Sequence, residues 1–104
     1  MEFKNYTPHI INMNDGRMFE PIGLARVSAT FSEVSQDMCF QRFGSIVGLP
    51  EPKDDIYLII SSVVLAANNA AFGKRLDLVA PATGHPDCIR NNGQVVSVPC
   101  FVRN

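Results

Sequence analysis

The run Ile56-Tyr57-Leu58-Ile59-Ile60, followed at once by Ser61-Ser62, constrains this chain more than any other segment. A short continuous apolar run bounded by turn residues suits a strand covered on both faces, because no alternation leaves one side polar for water. The run therefore belongs at the centre of a sheet. After it the period changes. Val63, Val64, Ala67, Ala70 and Ala71 fall at helical spacing, and Asn68 and Asn69 are expected on the outer side. Ser61 or Ser62 supplies an N-cap hydroxyl for an orphan N–H of the first turn. The spacing predicts a helix over Ser62 to Phe72, stopped by Gly73, with Lys74 and Arg75 near the negative end of its dipole. An alanine-rich face is shallow, so the helix can lie close on the sheet.

The rest of the chain reads as short strands and turns. Asn14-Asp15-Gly16-Arg17 and Asn91-Asn92-Gly93 carry the residues that accept the positive φ of tight hairpin turns. Between Leu24 and Phe31 the apolar residues alternate: Ala25, Val27, Ala29 and Phe31 share a face expected to point to the core, with Leu24, Arg26, Ser28 and Thr30 opposite. Met38 to Phe43 reads as a strand of mixed pattern, and Gly44 to Gly48 as a short strand or bulge. Leu76 to Ala80 is a strand ended by Pro81, and Gln94 to Val98 is one near an edge. The expected class is α+β: a single domain over residues 1–104, mostly antiparallel β with one alanine-rich helix packed on the sheet.

Composition narrows the function classes. The chain is 46% hydrophobic and 18% charged, with net charge −1, which disfavours a partner such as long nucleic acid that demands a basic excess. For 104 residues the burial and ordering terms nearly cancel, so a monomer has little surplus stability and a homo-oligomer is expected. The stretch Ile56 to Ala67, interrupted by two serines, falls short of the ~20 apolar residues that cross a bilayer. No secretory signal is read at the N-terminus, and three cysteines (Cys39, Cys88, Cys100) leave one unpaired, so a reduced, cytoplasmic protein is expected. His85-x-x-Cys88 is one imperfect ligand pair where zinc clusters show two, so no metal or other cofactor is implied.

Six residues stand out for ligand contact. Ser61 lies between a buried strand and a helix, where free N–H groups and the dipole attract anions. Arg75 and Arg90 can fork a carboxylate or phosphate, and Thr83 lies in the loop Pro81 to Arg90, which is rich in fixed donors. Against this, Arg75 and Asp77 also suit an ion pair that pins the helix exit. His9, after Thr7-Pro8, suits a turn tying the N-terminal strand, with ligand contact or general-base work as alternatives. No catalytic constellation is visible.

The ordered segments Thr7-Pro8-His9-x-Ile11, Gly23-x-Ala25-Arg26-Val27, Gly48-Leu49-Pro50-Glu51-Pro52, Tyr57-Leu58-Ile59-x-Ser61-x-x-Val64-x-x-Ala67, Arg75-x-Asp77-Leu78-x-x-Pro81 and Arg90-x-x-Gly93-x-Val95 cover nearly the whole chain. This pattern resembles a family of small proteins found in phages, prophages and bacteria. The chain departs from it in a longer connection, Asn68 to Lys74, and in the Gly84-His85-Pro86 loop. The resemblance implies a phage setting, with the host cytoplasm as compartment, but no reaction. Together with the loop chemistry it leads to the expectation of a non-enzymatic accessory protein. Such a protein would sequester a small anionic, nucleotide-like ligand, as an anti-defence sponge does. A protein–protein inhibitor or structural accessory protein is the first alternative, and a small hydrolase using His9 or His85 the second.

Overall fold

The computed structural model describes residues 1–104. In chain order the elements are β1 (Glu2–Asn5), β2 (Ile11–Asn12), β3 (Met18–Phe19), β4 (Arg26–Phe31), β5 (Gln41–Val47), β6 (Ile56–Ile59), α1 (Ser62–Phe72), β7 (Leu78–Pro81), β8 (Ile89–Asn91), β9 (Gln94–Ser97) and β10 (Phe101–Arg103). The class is α+β. Four of the six strand pairings are antiparallel, including the three hairpins β2–β3, β4–β5 and β8–β9. The remaining two are parallel and meet at β6, in a four-stranded sheet of order β1-β6-β7-β10.

The apolar run at Ile56 takes the central place its composition requires. Leu58 and Ile60 pack with Ala25, Val64 and Leu78 on the helix side. Ile59 and Val79 point the other way, onto Ile11, Met13 and Val98. This alternation along β6 and β7 divides the core into two layers. Phe3, Phe19 and Phe101 close the second layer at its edge, with ring centroids 5.0–5.9 Å apart.

The helix has the expected bounds and caps. Ser61 Oγ accepts from Val64 N–H at 3.2 Å, and the Gly73 N–H donates to the Asn69 carbonyl from a residue at φ 82°. Asn92 and Gly93, both at positive φ, form the two-residue turn of the β8–β9 hairpin. Gly16, at φ 95°, turns the β2–β3 hairpin.

Several expectations are corrected. Asn68 is buried rather than outside, because its Nδ2 donates to the Gly73 carbonyl and seals the helix exit. The fifth strand starts at Gln41, not Met38, and runs through Gly44 to Val47, with a bulge opposite Val27 and Ala29. β7 begins at Leu78, leaving Leu76 in a turn and exposed, and it includes Pro81, which pairs with Phe101. On β4 the alternation is right but its consequence is not. Ala25 is buried and Val27 half-buried, whereas Ala29 and Phe31 are exposed because the β4–β5 hairpin runs on past the edge of the core.

Candidate functional site

Three parallel strands end side by side, and the segments that leave them build a cleft. Thr7 and His9 follow β1, Ser61 and Ser62 follow β6, and Thr83 follows β7. The cleft has a volume of about 320 Å³ and is walled on its remaining side by Ile10, Val95, Val96 and Val98. Crevices beyond the carboxyl ends of parallel strands recur as ligand sites, because loops diverge there and a following helix points its N-terminus inward.

Each part of the cleft has a local cause. Ser61 leaves β6 in extended geometry (φ −68°, ψ 155°) and caps α1. Its hydroxyl accepts from Val64, which leaves the hydroxyl proton free to donate outward. The Ser62 and Val63 N–H groups, in the first turn, have no acceptor within the helix. The Thr7-Pro8-His9 turn is held from inside by Asn5. Its Oδ1 accepts from the Thr7 N–H and hydroxyl, and its Nδ2 donates to the carbonyls of His9 and Phe19 at 2.8 and 2.9 Å. Thus His9 is anchored through its backbone, and its ring has no hydrogen bond to a serine, threonine or cysteine. No carboxylate lines the cleft, and His9 is its one titratable side chain.

The structure therefore brings together His9, Ser61 and Thr83. Arg90 lies just outside. Its guanidinium donates to the Thr83 carbonyl, which places a cation beside that loop. Arg75 and Asp77 lie elsewhere, at the opposite end of β7, separated from the cleft by a strand about 13 Å long at ~3.3 Å per residue. They form the ion pair considered for the helix exit. Arg75 Nε and Nη2 reach the two Asp77 oxygens at 3.0 and 2.7 Å, and Nη2 also donates to the Pro50 carbonyl at 2.9 Å. The Asn104 side chain donates to the Arg75 carbonyl, so the C-terminus closes over the same corner. This pair ties the Pro50 loop, the helix exit and the chain end together.

His85 is engaged locally: its Nδ1 accepts from the Asp87 N–H at 3.0 Å. The Cys88 thiol donates to the Ser97 carbonyl at 3.1 Å. No group of three His, Cys, Asp or Glu side chains converges to hold a metal ion. No helix is long and apolar enough to cross a membrane.

Sequence reasoning missed Asn5, because an asparagine near the N-terminus carries no local sign of burial. It also missed the valine wall, whose place depends on the β8–β9 hairpin folding back over the ends of distant strands.

The fold is that of a small α+β protein with a strand-end cleft lined by hydroxyls, by His9 and by an apolar wall. No protein-family model matches the chain, and comparison with curated proteins and with solved structures finds no match either.

Proposed function

We propose that this protein is a non-enzymatic accessory protein that binds and sequesters a small anionic, nucleotide-like molecule in the strand-end cleft. The observation that carries the reading is the combination of the α1 N-terminus with the hydroxyls of Ser61, Ser62 and Thr83 in a cleft without a carboxylate. Unpaired N–H groups and the positive end of the helix dipole favour a phosphate there. The Val95, Val96 and Val98 wall offers an apolar surface for a flat base. Arg90 adds a cation beside the Thr83 loop. The phage setting comes from the resemblance of the ordered motifs, and in that setting holding a nucleotide signal out of solution is itself the activity.

Titration calorimetry with a panel of cyclic and linear nucleotides tests the reading at protein concentrations of tens of micromolar. Saturable heat with at least one member is expected, and no heat with any member overturns it. Ser61→Asp sharpens the test. Aspartate also caps helices, so the fold is kept, but its charge repels an anion at the same spot. Binding that survives Ser61→Asp unchanged would place the ligand elsewhere.

A second reading, a protein–protein inhibitor or structural accessory protein, draws on the apolar residues left exposed along the β4–β5 hairpin.

A further inference from the structure

The chain exposes more surface than its mass requires. Its accessible area is 7206 Å², whereas a compact protein of 11.4 kDa exposes roughly 5,800 Å². The radius of gyration is 15.1 Å against about 13 Å for a compact chain of this length. The β4–β5 hairpin contributes to this difference, since within its two strands every residue but Val27 and Ile46 is exposed. Its two faces are chemically distinct. Arg26, Ser28 and Thr30 lie on one side, with Arg42 paired to Thr30. Val27, Ala29 and Phe31 lie on the other, with Ile46, Phe43 and Gln41 as their respective cross-strand partners. Near its base the apolar face is covered, since Val27 and Ile46 pack on the helix-side core. Farther out nothing in the chain covers it: Phe31 is 66% exposed and Phe43 40%. A groove of about 570 Å³ runs between Phe43 and Ile46 of the hairpin and Ala67, Ala70, Ala71 and Phe72 of α1, with Arg42 also on its hairpin wall. Phe72 is itself 77% exposed.

We infer that this face binds a second copy of the chain. In the resulting two-fold dimer, the outer β4–β5 hairpin of each copy seats in the other copy's groove between hairpin and α1. Two arguments favour a second copy over a different protein. A two-fold interface requires one surface that is complementary to itself, and here a projecting apolar ridge and an apolar recess lie side by side on one chain. The area also fits. If the whole-chain excess of roughly 1,400 Å² were covered on each copy, roughly 2,800 Å² would be buried in total, within the range of obligate homodimers and above that of transient contacts. The inference stands apart from the ligand reading, since the groove and the strand-end cleft share no residue.

Sedimentation equilibrium of the full chain tests it. A mass of twice 11.4 kDa is expected at micromolar concentration. Phe31→Lys and Phe72→Lys are each expected to weaken association at least tenfold. Lys53→Glu, in the exposed loop before β6 and outside both the hairpin and the groove, leaves it unchanged. As a readout that does not depend on a charged variant folding, a photo-crosslinking phenylalanine analogue at position 31 is expected to yield a dimer-sized product joined to the partner's helix peptide. A monomeric wild type, an odd-numbered ring, or a dimer that persists in the Phe31→Lys/Phe72→Lys double variant overturns the inference. So does a chain that is monomeric alone and associates only with a different protein.

Discussion

Asn5 holds Thr7 at two points: its Oδ1 accepts from the Thr7 backbone N–H at 2.9 Å and from the Thr7 hydroxyl at 2.7 Å. Both residues are buried, at 1% and 6% exposure, and the same amide also serves the His9 and Phe19 carbonyls. Asn5→Ala strips several buried polar groups of their partner at once. A loss of about 2–4 kcal/mol is expected, measured by urea denaturation. Thr7→Val, which removes one hydroxyl and keeps the volume, is expected to cost less, about 1 kcal/mol.

Gly48 sits at φ 86°, and a Cβ there would overlap the Leu24 carbonyl oxygen. That carbonyl is backbone and cannot swing aside as a flexible side chain would. Gly48→Ala is expected to destabilise by about 2–4 kcal/mol, visible as a lowered Tm. Gly84→Ala is a control. Its added methyl meets open space and its φ is not positive, so little change is expected.

The Arg75–Asp77 pair, with side chains 22% and 15% exposed, is sheltered enough to matter for stability. Asp77→Ala leaves a half-buried guanidinium with the Pro50 carbonyl as its remaining partner. A loss of about 1–3 kcal/mol is expected in denaturant titrations, with no change in nucleotide affinity. A large loss of affinity at unchanged stability would instead place a ligand at this end of the sheet.

Ser61→Ala removes the α1 cap without adding charge. Caps of this kind contribute about 1 kcal/mol, and the loss is expected in thermal melts. Comparison with Ser61→Asp then separates the hydroxyl's service to the helix from the local electrostatics of the cleft.

Asp15 shows how the β2–β3 turn responds to acid. The Arg17 backbone N–H donates to its Oδ1, and the Arg17 guanidinium bonds its Oδ2, which together hold the carboxyl below its ordinary value of 3.8. A carboxyl depressed in the folded state adds stability above its unfolded pKa, and that contribution is lost as pH falls through the folded value. The stability difference between wild type and Asp15→Asn is therefore expected at neutral pH and should shrink below pH ~4. A carboxyl NMR titration of Asp15 checks the direction directly.

Sequence alone determined the features whose causes lie within a few residues. The Asn92-Gly93 and Asp15-Gly16 turns, the capped helix from Ser62 to Phe72, and the double-sided burial of the strand at Ile56 all follow from local φ preference, capping chemistry and apolar period. Tertiary structure decided what depends on partners far along the chain. The N-terminal strand Glu2–Asn5 finds its partner in β6, in parallel, and Phe101–Arg103 becomes a strand by pairing with β7; neither partner is legible in the local pattern. The same holds for the candidate site. Ser61, Thr83 and His9 meet because three strands end together, whereas Arg75 and Asp77, no less suited to a ligand by residue type, are carried to the opposite end by the direction of β7. Local chemistry specifies what a side chain can do. Strand order and direction, which rest on contacts distant in sequence, specify which side chains do it together.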